Sequence, residues 1–290
     1  MNVIEIKELN KYYGTSRGLE EATFEVQEGE IFGFVGPNGA GKTTLIRVLL
    51  GLIQKSKGYA SIFGEEINEE SWQINDDIGY LPSEAFFFPE MKVMEVLTFY
   101  KNMRKVSDSK MLELIDLFDL DINKIVSQLS FGNKKKLGIV VALLHEPKLL
   151  ILDEPTTGLD PLMQQTFLNF LLEEKKKGVT VFLSSHVLSE VEKVCDRVAL
   201  IRDGVVSFIF KMSEINIKEH KKIILSPPML DQNIPGLILT KTIDNEAFYD
   251  YEGNINTLIQ SVGLQSFQNI TIRDASLEEI VLKYYKKELE

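Results

Sequence analysis

The chain has 290 residues, of which 44% are hydrophobic and 26% charged, and its formal net charge is -11. This length favours one large domain plus a smaller one over a single core, and the negative charge argues against sequence-independent binding to nucleic acid. The only cysteine, Cys195, excludes an internal disulfide framework. It lies in a helical pattern, which predicts a small core residue.

The sequence also predicts a protein that does not enter a membrane by itself. Its first residues, MNVIEIKELNKYYG, lack the apolar run of a signal peptide. No stretch reaches the roughly 18 uninterrupted apolar residues that a membrane helix needs. We therefore expect a cytoplasmic protein whose contact with a membrane goes through a partner.

The first two hundred residues alternate strand-like and helix-like segments. Several strand candidates are continuous apolar runs bounded by Gly, Asp or Ser, as expected for strands buried on both faces. Because helical patterns lie between them, the segment predicts an α/β core with a mostly parallel sheet. The expected strands are residues 3–9, 22–26, 31–35, 59–63, 77–81, 149–153, 179–183 and 197–201.

This alternation is interrupted between about residues 84 and 145. Three segments there, 91–105, 108–120 and 134–145, show helical periodicity, and no strand pattern lies between them. We therefore predict a helical subdomain inserted into the α/β core.

The character of the chain changes again after about residue 210. Short strand patterns at KKIILS, LILTKTI and NEAFYDYEG are followed by helix, strand and helix patterns. Ser276 and Glu279 have the spacing of a capping box at the start of the last helix, SLEEIVLKYYKKELE. The expected organisation is a large domain over residues 1–210 and a small α+β accessory domain over residues 211–290.

A phosphate-binding loop is indicated by GPNGAGKT at 36–43, which matches G-x-x-x-x-G-K-[ST] between an apolar strand and a helix. Its glycines let backbone N–H groups surround phosphate oxygens, and the helix N-terminus adds a favourable dipole. Lys42 is expected to neutralise the β- and γ-phosphates of ATP, and Thr43 to offer its hydroxyl to Mg²⁺. The nucleotide contacts expected here are Asn38, Gly39, Gly41, Lys42, Thr43 and Thr44.

Two acidic residues end the apolar strand LLILDEP at 149–155. A buried strand that ends in Asp153 places this carboxylate at the C-terminal edge of the sheet, beside the phosphate loop. Asp153 is therefore expected to hold the Mg²⁺ shell. Glu154 follows where the chain leaves the sheet, and it is expected to orient or deprotonate the attacking water.

Six short motifs follow one another through residues 1–210, and two of them are the phosphate loop and the carboxylate strand. Together they resemble the motifs of the ATP-binding subunits of ABC transporters. This resemblance implies a P-loop nucleotide-binding domain with an inserted helical subdomain. The motifs are LNKYYG at 9–14, GPNGAGKTT at 36–44, LSFGN at 129–133, LLILDEP at 149–155, GLDP at 158–161 and SSH at 184–186.

The resemblance implies roles for residues that act on the chain's own nucleotide. Tyr13, just before a glycine, corresponds to the aromatic residue that stacks on adenine. Glu154 corresponds to the catalytic glutamate of the family. His186, at the end of the VTVFL strand, corresponds to the switch histidine that senses the γ-phosphate.

The resemblance also implies residues that act on the ATP of a second subunit. In this family two nucleotide-binding domains meet head to tail, so that Ser130 and Gly132 of LSFGN face the partner's γ-phosphate. Asp160 lies in the loop that passes between the subunits. Ser130 is also a candidate N-cap of the following helix, and the lysines at 134–136 are interpreted mainly as a solvated helix face.

One position departs from the family pattern. The glutamine that usually follows a segment like IGYLP is replaced here by Ser83 and then Glu84. Serine is too short to reach the metal and the attacking water, so Glu84 is the candidate replacement as a metal ligand.

Phe86, Phe87 and Phe88 follow this loop and have two interpretations. They are candidates for the groove that receives a coupling helix of a membrane subunit, or for the core of the helical subdomain. Three consecutive aromatic residues cannot all face one side of a helix.

The resemblance therefore implies an ATPase that uses ATP and Mg²⁺, lies on the inner face of the cell membrane and works with a transmembrane permease subunit. A second nucleotide-binding subunit, identical or paralogous, completes the two sites. The terminal segment ASLEEIVLKYY resembles bacterial ABC-2-type exporters of drugs, bacteriocins and antimicrobial peptides, so an amphipathic peptide or an antibiotic is the expected cargo. The alternatives are a soluble ABC ATPase that acts on nucleic acid and a regulatory module that binds ATP without hydrolysing it. The acidity of the chain argues against a nucleic-acid partner.

Overall fold

The computed structural model describes residues 1–68, 71–215, 219–226, 230, 234–263 and 267–280. The chain divides into two compact units, Met1–Met212 and Ser213–Glu290. Within the described ranges, none of the helices combines the length and the apolar character needed to cross a membrane.

The first unit is built on a single ten-stranded sheet. Its strands are β1 (Asn2–Tyr13), β2 (Ser16–Gln27), β3 (Ile31–Val35), β4 (Lys57–Ile62), β5 (Glu65–Glu66), β6 (Ile78–Leu81), β7 (Leu149–Asp153), β8 (Thr180–Ser185), β9 (Arg197–Arg202) and β10 (Val205–Lys211). They lie in the order β5-β4-β1-β2-β10-β9-β3-β8-β7-β6. All the strands expected from the sequence are present, with bounds that differ by a few residues.

One half of this sheet is parallel, and the other is mainly antiparallel with one parallel contact between β2 and β10. β9, β3, β8, β7 and β6 pair in parallel, and β3, β7 and β8 are buried along their whole length. In the other half, β1 pairs antiparallel with both β2 and β4. The α/β class is thus confirmed, but the long antiparallel hairpin was not expected. It forms because Gly14, with a φ of 60°, turns the chain tightly between β1 and β2.

Among the described residues of this unit, the α-helices are α1 (Lys42–Leu49), α2 (Val93–Arg104), α3 (Asp108–Leu117), α4 (Phe131–Leu143), α5 (Pro161–Lys176) and α6 (Leu188–Val194). The predicted helical insertion is confirmed, because α2, α3 and α4 lie between β6 and β7, and residues 82–148, all of them described, contain no β-strand. The predicted burial of Cys195 is also confirmed; its side chain is 7% exposed, and burial raises the pKa of its thiol.

Aromatic side chains fill the core between the strands that carry the site. The rings of Phe24 and Phe32 stack with centroids 5.2 Å apart, and Phe182 lies 6.0 Å from Phe32 and 5.6 Å from Phe34. Phe32, Phe34 and Phe182 are fully buried. β3 leads into the phosphate loop, and β8 pairs with β7, which ends in the carboxylates. This cluster therefore fixes the phosphate loop relative to the carboxylate strand.

Truncation of this cluster is expected to destabilise the first unit strongly. Phe182→Ala should reduce the free energy of unfolding by about 3–5 kcal/mol, because it removes buried apolar surface and leaves a cavity. Chemical denaturation measures the change. Phe86→Ala is the matched control, since Phe86 is 87% exposed and its loss should cost less than about 0.5 kcal/mol. Equal effects of the two variants would contradict this description of the core.

The described part of the second unit contains a four-stranded antiparallel sheet, one complete helix and the beginning of another at residues 277–280. Its elements are β11 (His220–Leu225), β12 (Leu237–Ile243), β13 (Glu246–Glu252), α7 (Ile255–Gly263) and β14 (Ile270–Asp274), and the strand order is β12-β13-β11-β14. The predicted capping box is confirmed: the Ser276 N–H donates to Glu279 Oε2 at 2.9 Å and the Glu279 N–H donates to Ser276 Oγ at 3.3 Å. The predicted continuation of this helix through residues 281–290 lies outside the described residues.

Candidate functional site

The predicted phosphate loop connects β3 to α1. Gly41 has a φ of 109°, and a Cβ there would lie 2.4 Å from the carbonyl oxygen of Gly18, so only glycine fits. Lys42 opens α1, and its ammonium donates to the carbonyls of Gly36 at 2.7 Å and Pro37 at 3.1 Å. The loop therefore holds a buried cation at a helix N-terminus, an arrangement that suits phosphate groups.

The carboxylate of Asp153 lies directly beside this loop. Asp153 ends β7 and is 1% exposed. The Thr43 hydroxyl donates to its Oδ2 at 2.8 Å, and the Ser184 hydroxyl of β8 donates to its Oδ1 at 2.6 Å. Both oxygens of this buried carboxylate are thus satisfied, as burial of a charge requires.

Glu154 lies between the lysine of the loop and His186. Its backbone has a φ of 48°, which turns the chain out of the sheet, and its N–H donates to the carbonyl of Ser184 at 3.2 Å. His186 Nδ1 lies 2.7 Å from Glu154 Oε2. Lys42 Nζ lies 3.2 Å from Oε1, in ion-pair contact, although this buried oxygen accepts no hydrogen bond within the described part of the chain. The carboxylate therefore has capacity left for a donor such as water.

A cavity of about 350 Å³ collects most of the residues predicted to contact the chain's own nucleotide. Residues of the phosphate loop line it together with Glu154 and with Tyr13, which is 48% exposed. His186 and Asp153 reach the same place through their hydrogen bonds with Glu154 and Thr43. The lining residues are Tyr13, Arg17, Gly18, Asn38, Gly39, Gly41, Lys42, Thr43, Thr44, Ser83 and Glu154.

Ser130, Gly132 and Asp160 form a second group outside this cavity. Ser130 is the N-cap of α4, as predicted, and its hydroxyl accepts from the Asn133 N–H at 3.3 Å. Asp160 caps α5 in the same way and accepts from the Met163 N–H at 2.9 Å. A Cβ at Gly132 would lie 2.5 Å from the carbonyl oxygen of Gly158, so the LSFGN segment and the GLDP loop touch. These residues share a surface of the chain, separate from its phosphate loop.

The loop after β6 brings Ser83 rather than Glu84 to the cavity wall. Glu84 is exposed, and its role as a metal ligand stays a prediction. Phe86 and Phe88 are 87% and 73% exposed, so their interpretation as core of the helical subdomain is wrong. The groove for a coupling helix stays a prediction.

The interpretation of the lysine run as a solvated helix face is wrong for two of its three members. Lys135 is 2% exposed and Lys136 is 8% exposed. The cause is that α4 is enclosed on all sides, since every residue from Lys135 to Val140 is buried. Lys135 donates to the carbonyls of Pro82, Ser83 and Asp153, and Lys136 donates to the carbonyl of Asp119.

Sequence reasoning missed two residues that contact the carboxylate strand, Ser184 and Lys135. Ser184 is one of two serines that follow the apolar run of β8, and that change from apolar to polar was a signal available from the sequence. Lys135 carried no such signal, because its partners are backbone carbonyls from distant segments. Burial lowers the pKa of Lys135 to about 8, although Asp153, Glu154 and Glu84 act in the opposite direction.

The donor set around Asp153 suits a hard divalent cation. Mg²⁺ prefers oxygen ligands and is usually held by one or two side chains together with water and substrate phosphates. Thr43 Oγ1 and Asp153 Oδ2 supply such oxygens beside the phosphate loop. Within the described residues, no group of three or more His, Cys, Asp or Glu side chains is placed to hold a metal by itself. The residues present therefore fit a metal that arrives with a nucleotide.

A P-loop fold with paired carboxylates beside the loop defines a nucleotide-binding protein. Residues 19–157 match the family described as "ABC transporter". The chain is 32% identical over 302 residues to the bacitracin transport ATP-binding protein BcrA of Bacillus licheniformis, covering 97% of this chain and 96% of that protein. It is 34% identical over 208 residues to the probable multidrug ABC transporter ATP-binding protein YbhF of Escherichia coli, covering 70% of this chain and 36% of that protein.

Solved structures show the same fold. An ATP-binding subunit of an ABC transporter superposes with a TM-score of 0.68 at 31% sequence identity, covering 74% of this chain and 92% of that chain. The chain belongs to the ATP-binding proteins of ABC transporters, and it is an ABC-type ATPase that binds nucleotide.

Proposed function

We propose that this chain powers an ABC exporter, in which ATP closes a dimer of nucleotide-binding domains and so moves a separate transmembrane permease. The observation that carries the ATPase part is the convergence of Lys42, Asp153, Glu154 and His186 at one edge of the sheet. In such a site, charge neutralisation and water activation act on the same γ-phosphate.

Five side chains act on the chain's own nucleotide in this proposal. Tyr13 stacks on adenine, and Lys42 together with the loop amides neutralises the phosphates. Glu154 orients the attacking water and accepts its proton, because it lies beside Lys42 with an oxygen free to accept a hydrogen bond. His186 holds Glu154 in place from the other side and reports the presence of the γ-phosphate. Thr44, which follows Thr43 in the loop, also contacts the phosphates.

Mg²⁺ is the cofactor in this proposal, held by Thr43 and Asp153, with Glu84 as the candidate ligand from the loop after β6. When bound, the metal neutralises charge on the β- and γ-phosphate oxygens. The chain's own contribution is orientation, because Ser184 holds Asp153 Oδ1 and leaves Oδ2 directed at Thr43.

The second group serves the ATP of another subunit. Ser130 and the amides near Gly132 lie at the exposed N-terminus of α4, where backbone N–H groups and the helix dipole favour an anion. Asp160, the N-cap of α5, lies in the adjacent GLDP loop and acts across the dimer in this proposal. Since they are absent from the lining of the chain's own cavity, a partner that presents its phosphate loop to them completes two composite sites. That partner is a second copy of this chain or a paralogue.

The direction of transport is proposed to be export. Two relatives are named for bacitracin transport and for probable multidrug transport, and the resemblance to BcrA extends over both units of this chain. We propose an amphipathic peptide or an antibiotic as the cargo. The protein then lies on the cytoplasmic face of the membrane, held there by the permease.

Deletion of the chain in its native host tests this function. The deletion strain is challenged with a panel of amphipathic peptides and antibiotics that includes bacitracin, and is complemented with the wild type or with Glu154→Gln. We expect higher sensitivity to at least one member, restored only by the wild type. Unchanged sensitivity across the panel would contradict the proposed cargo, and restoration by Glu154→Gln would contradict the proposed role of hydrolysis.

A further inference from the structure

The side chain of Lys135 connects three segments that are distant in the sequence. It belongs to α4, one turn after the N-cap Ser130. Its Nζ lies 3.1 Å from the Pro82 carbonyl oxygen, 3.0 Å from the Ser83 carbonyl oxygen and 3.4 Å from the Asp153 carbonyl oxygen. An ammonium has three N–H donors and no acceptor, so these three carbonyls use its whole hydrogen-bonding capacity.

The contacts of Lys135 distinguish it from an ordinary surface lysine. At 2% exposure it is among the most buried charged residues of the described chain. Burial of a charge is costly unless hydrogen bonds or opposite charges compensate. Here the compensation comes from backbone carbonyls at 3.0–3.4 Å, with the carboxylates of Asp153, Glu154 and Glu84 acting at longer range.

The three segments that Lys135 connects, its own helix α4, the loop after β6 and the end of β7, each carry a residue of the candidate site. Ser83 lines the nucleotide cavity, Asp153 precedes Glu154 at the end of β7, and Ser130 begins α4. We propose that Lys135 is a positioning residue for ATP hydrolysis, which holds the loop after β6 and the end of the carboxylate strand in one geometry relative to the signature helix. This inference rests on the proposed function of the site. It adds a contact between the helix that begins at Ser130 and the segments that carry Ser83 and Asp153.

The adjacent Lys136 is the matched control. It lies on the same helix and is 8% exposed, but its ammonium contacts Asp119 of the helical subdomain, at 3.3 Å from the carbonyl and 3.6 Å from Oδ2. Lys136→Met therefore removes a buried lysine of the same helix without touching the loop after β6 or the end of β7.

Steady-state ATPase kinetics and hydrogen exchange test the proposal on the full chain. Lys135→Met should lower kcat by about 10–100-fold, because small displacements of reacting groups have effects of this size, while KM for ATP changes less than about twofold. Lys135→Arg, which keeps the charge and N–H donors, should recover part of this loss. Lys136→Met should keep the wild-type kcat. Exchange in the peptide that covers residues 78–90 should accelerate in Lys135→Met and not in Lys136→Met.

Several results would overturn the inference. A raised KM with unchanged kcat would place Lys135 in ATP binding, and equal kcat losses in the Lys135→Met and Lys136→Met variants would reduce its role to folding. If Lys135→Met does not fold, Lys135→Gln decides in its place, and a wild-type kcat in that variant would contradict the proposal. If the wild type itself hydrolyses no ATP, the proposed function fails, but the exchange comparison still tests the positioning contact.

Discussion

Glu154→Gln is expected to lower the ATP turnover of the purified protein by about 10²–10⁴-fold, the range for loss of a general base. The substitution keeps the shape of the side chain and removes only its capacity to take a proton from water. Since Lys42 and the loop amides remain, Mg·ATP should still bind. Because the bound ATP is not hydrolysed, the closed dimer cannot reopen. Light scattering should therefore measure the mass of a dimer with Mg·ATP and the mass of a monomer with Mg·ADP.

Glu173→Gln is the control for this variant. Glu173 is an exposed residue of α5 that pairs with Lys176, and the loss of such a pair has little effect on structure. Its turnover should equal that of the wild type. If Glu154→Gln hydrolyses ATP at the wild-type rate, Glu154 is not the base. A monomer with both nucleotides would mean that the permease or a paralogous ATPase subunit is needed to bring two sites together.

Two inactive variants are expected to recover activity when they are mixed. Lys42→Met disables the phosphate loop, and Ser130→Asp keeps an N-cap residue but places a negative charge against the phosphate. In a two-fold dimer with composite sites, each mixed pair has one site with both substitutions and one site with neither. Random pairing of equal amounts therefore restores about a quarter of the wild-type sites.

The mixing result separates two arrangements of the site. If Ser130 acted on the nucleotide of its own subunit, both sites of every mixed dimer would be defective and no turnover would return. The mixture is repeated in the Glu154→Gln background, where retained ATP reports on intact sites without turnover. Ser130→Thr, which keeps a hydroxyl, serves as the control. It should hydrolyse ATP when it is assayed alone, without mixing with a second variant.

The features of the fold and of the site that depend on local sequence pattern were predicted from the sequence. Apolar runs such as LLILD reveal strands buried on both faces, and the spacing of GPNGAGKT reveals a loop between strand and helix. β10 (Val205–Lys211) was missed although VVSFIFK is a largely apolar run of the same kind; in the structure each of its residues is exposed or half-buried.

The contacts of Lys135 were beyond reach for another reason. A run of lysines at the start of a helix normally faces water, and nothing local indicates that α4 is enclosed on every side. The three carbonyls that receive Lys135 come from segments 18 to 53 residues away. Such a contact depends on the tertiary fold, which a one-dimensional pattern does not contain. For Ser184 the polar character at the strand end is visible in the sequence, but its acceptor Asp153, 31 residues earlier, is not.

The pairing of Lys42 with Glu154 has a consequence for the order of events at the site. The ammonium of Lys42, which the proposed function assigns to the phosphates, lies 3.2 Å from a carboxylate oxygen of Glu154. In that proposed function an arriving γ-phosphate competes with Glu154 for this cation. The position of the proposed base is thereby coupled to the presence of the phosphate that its water attacks.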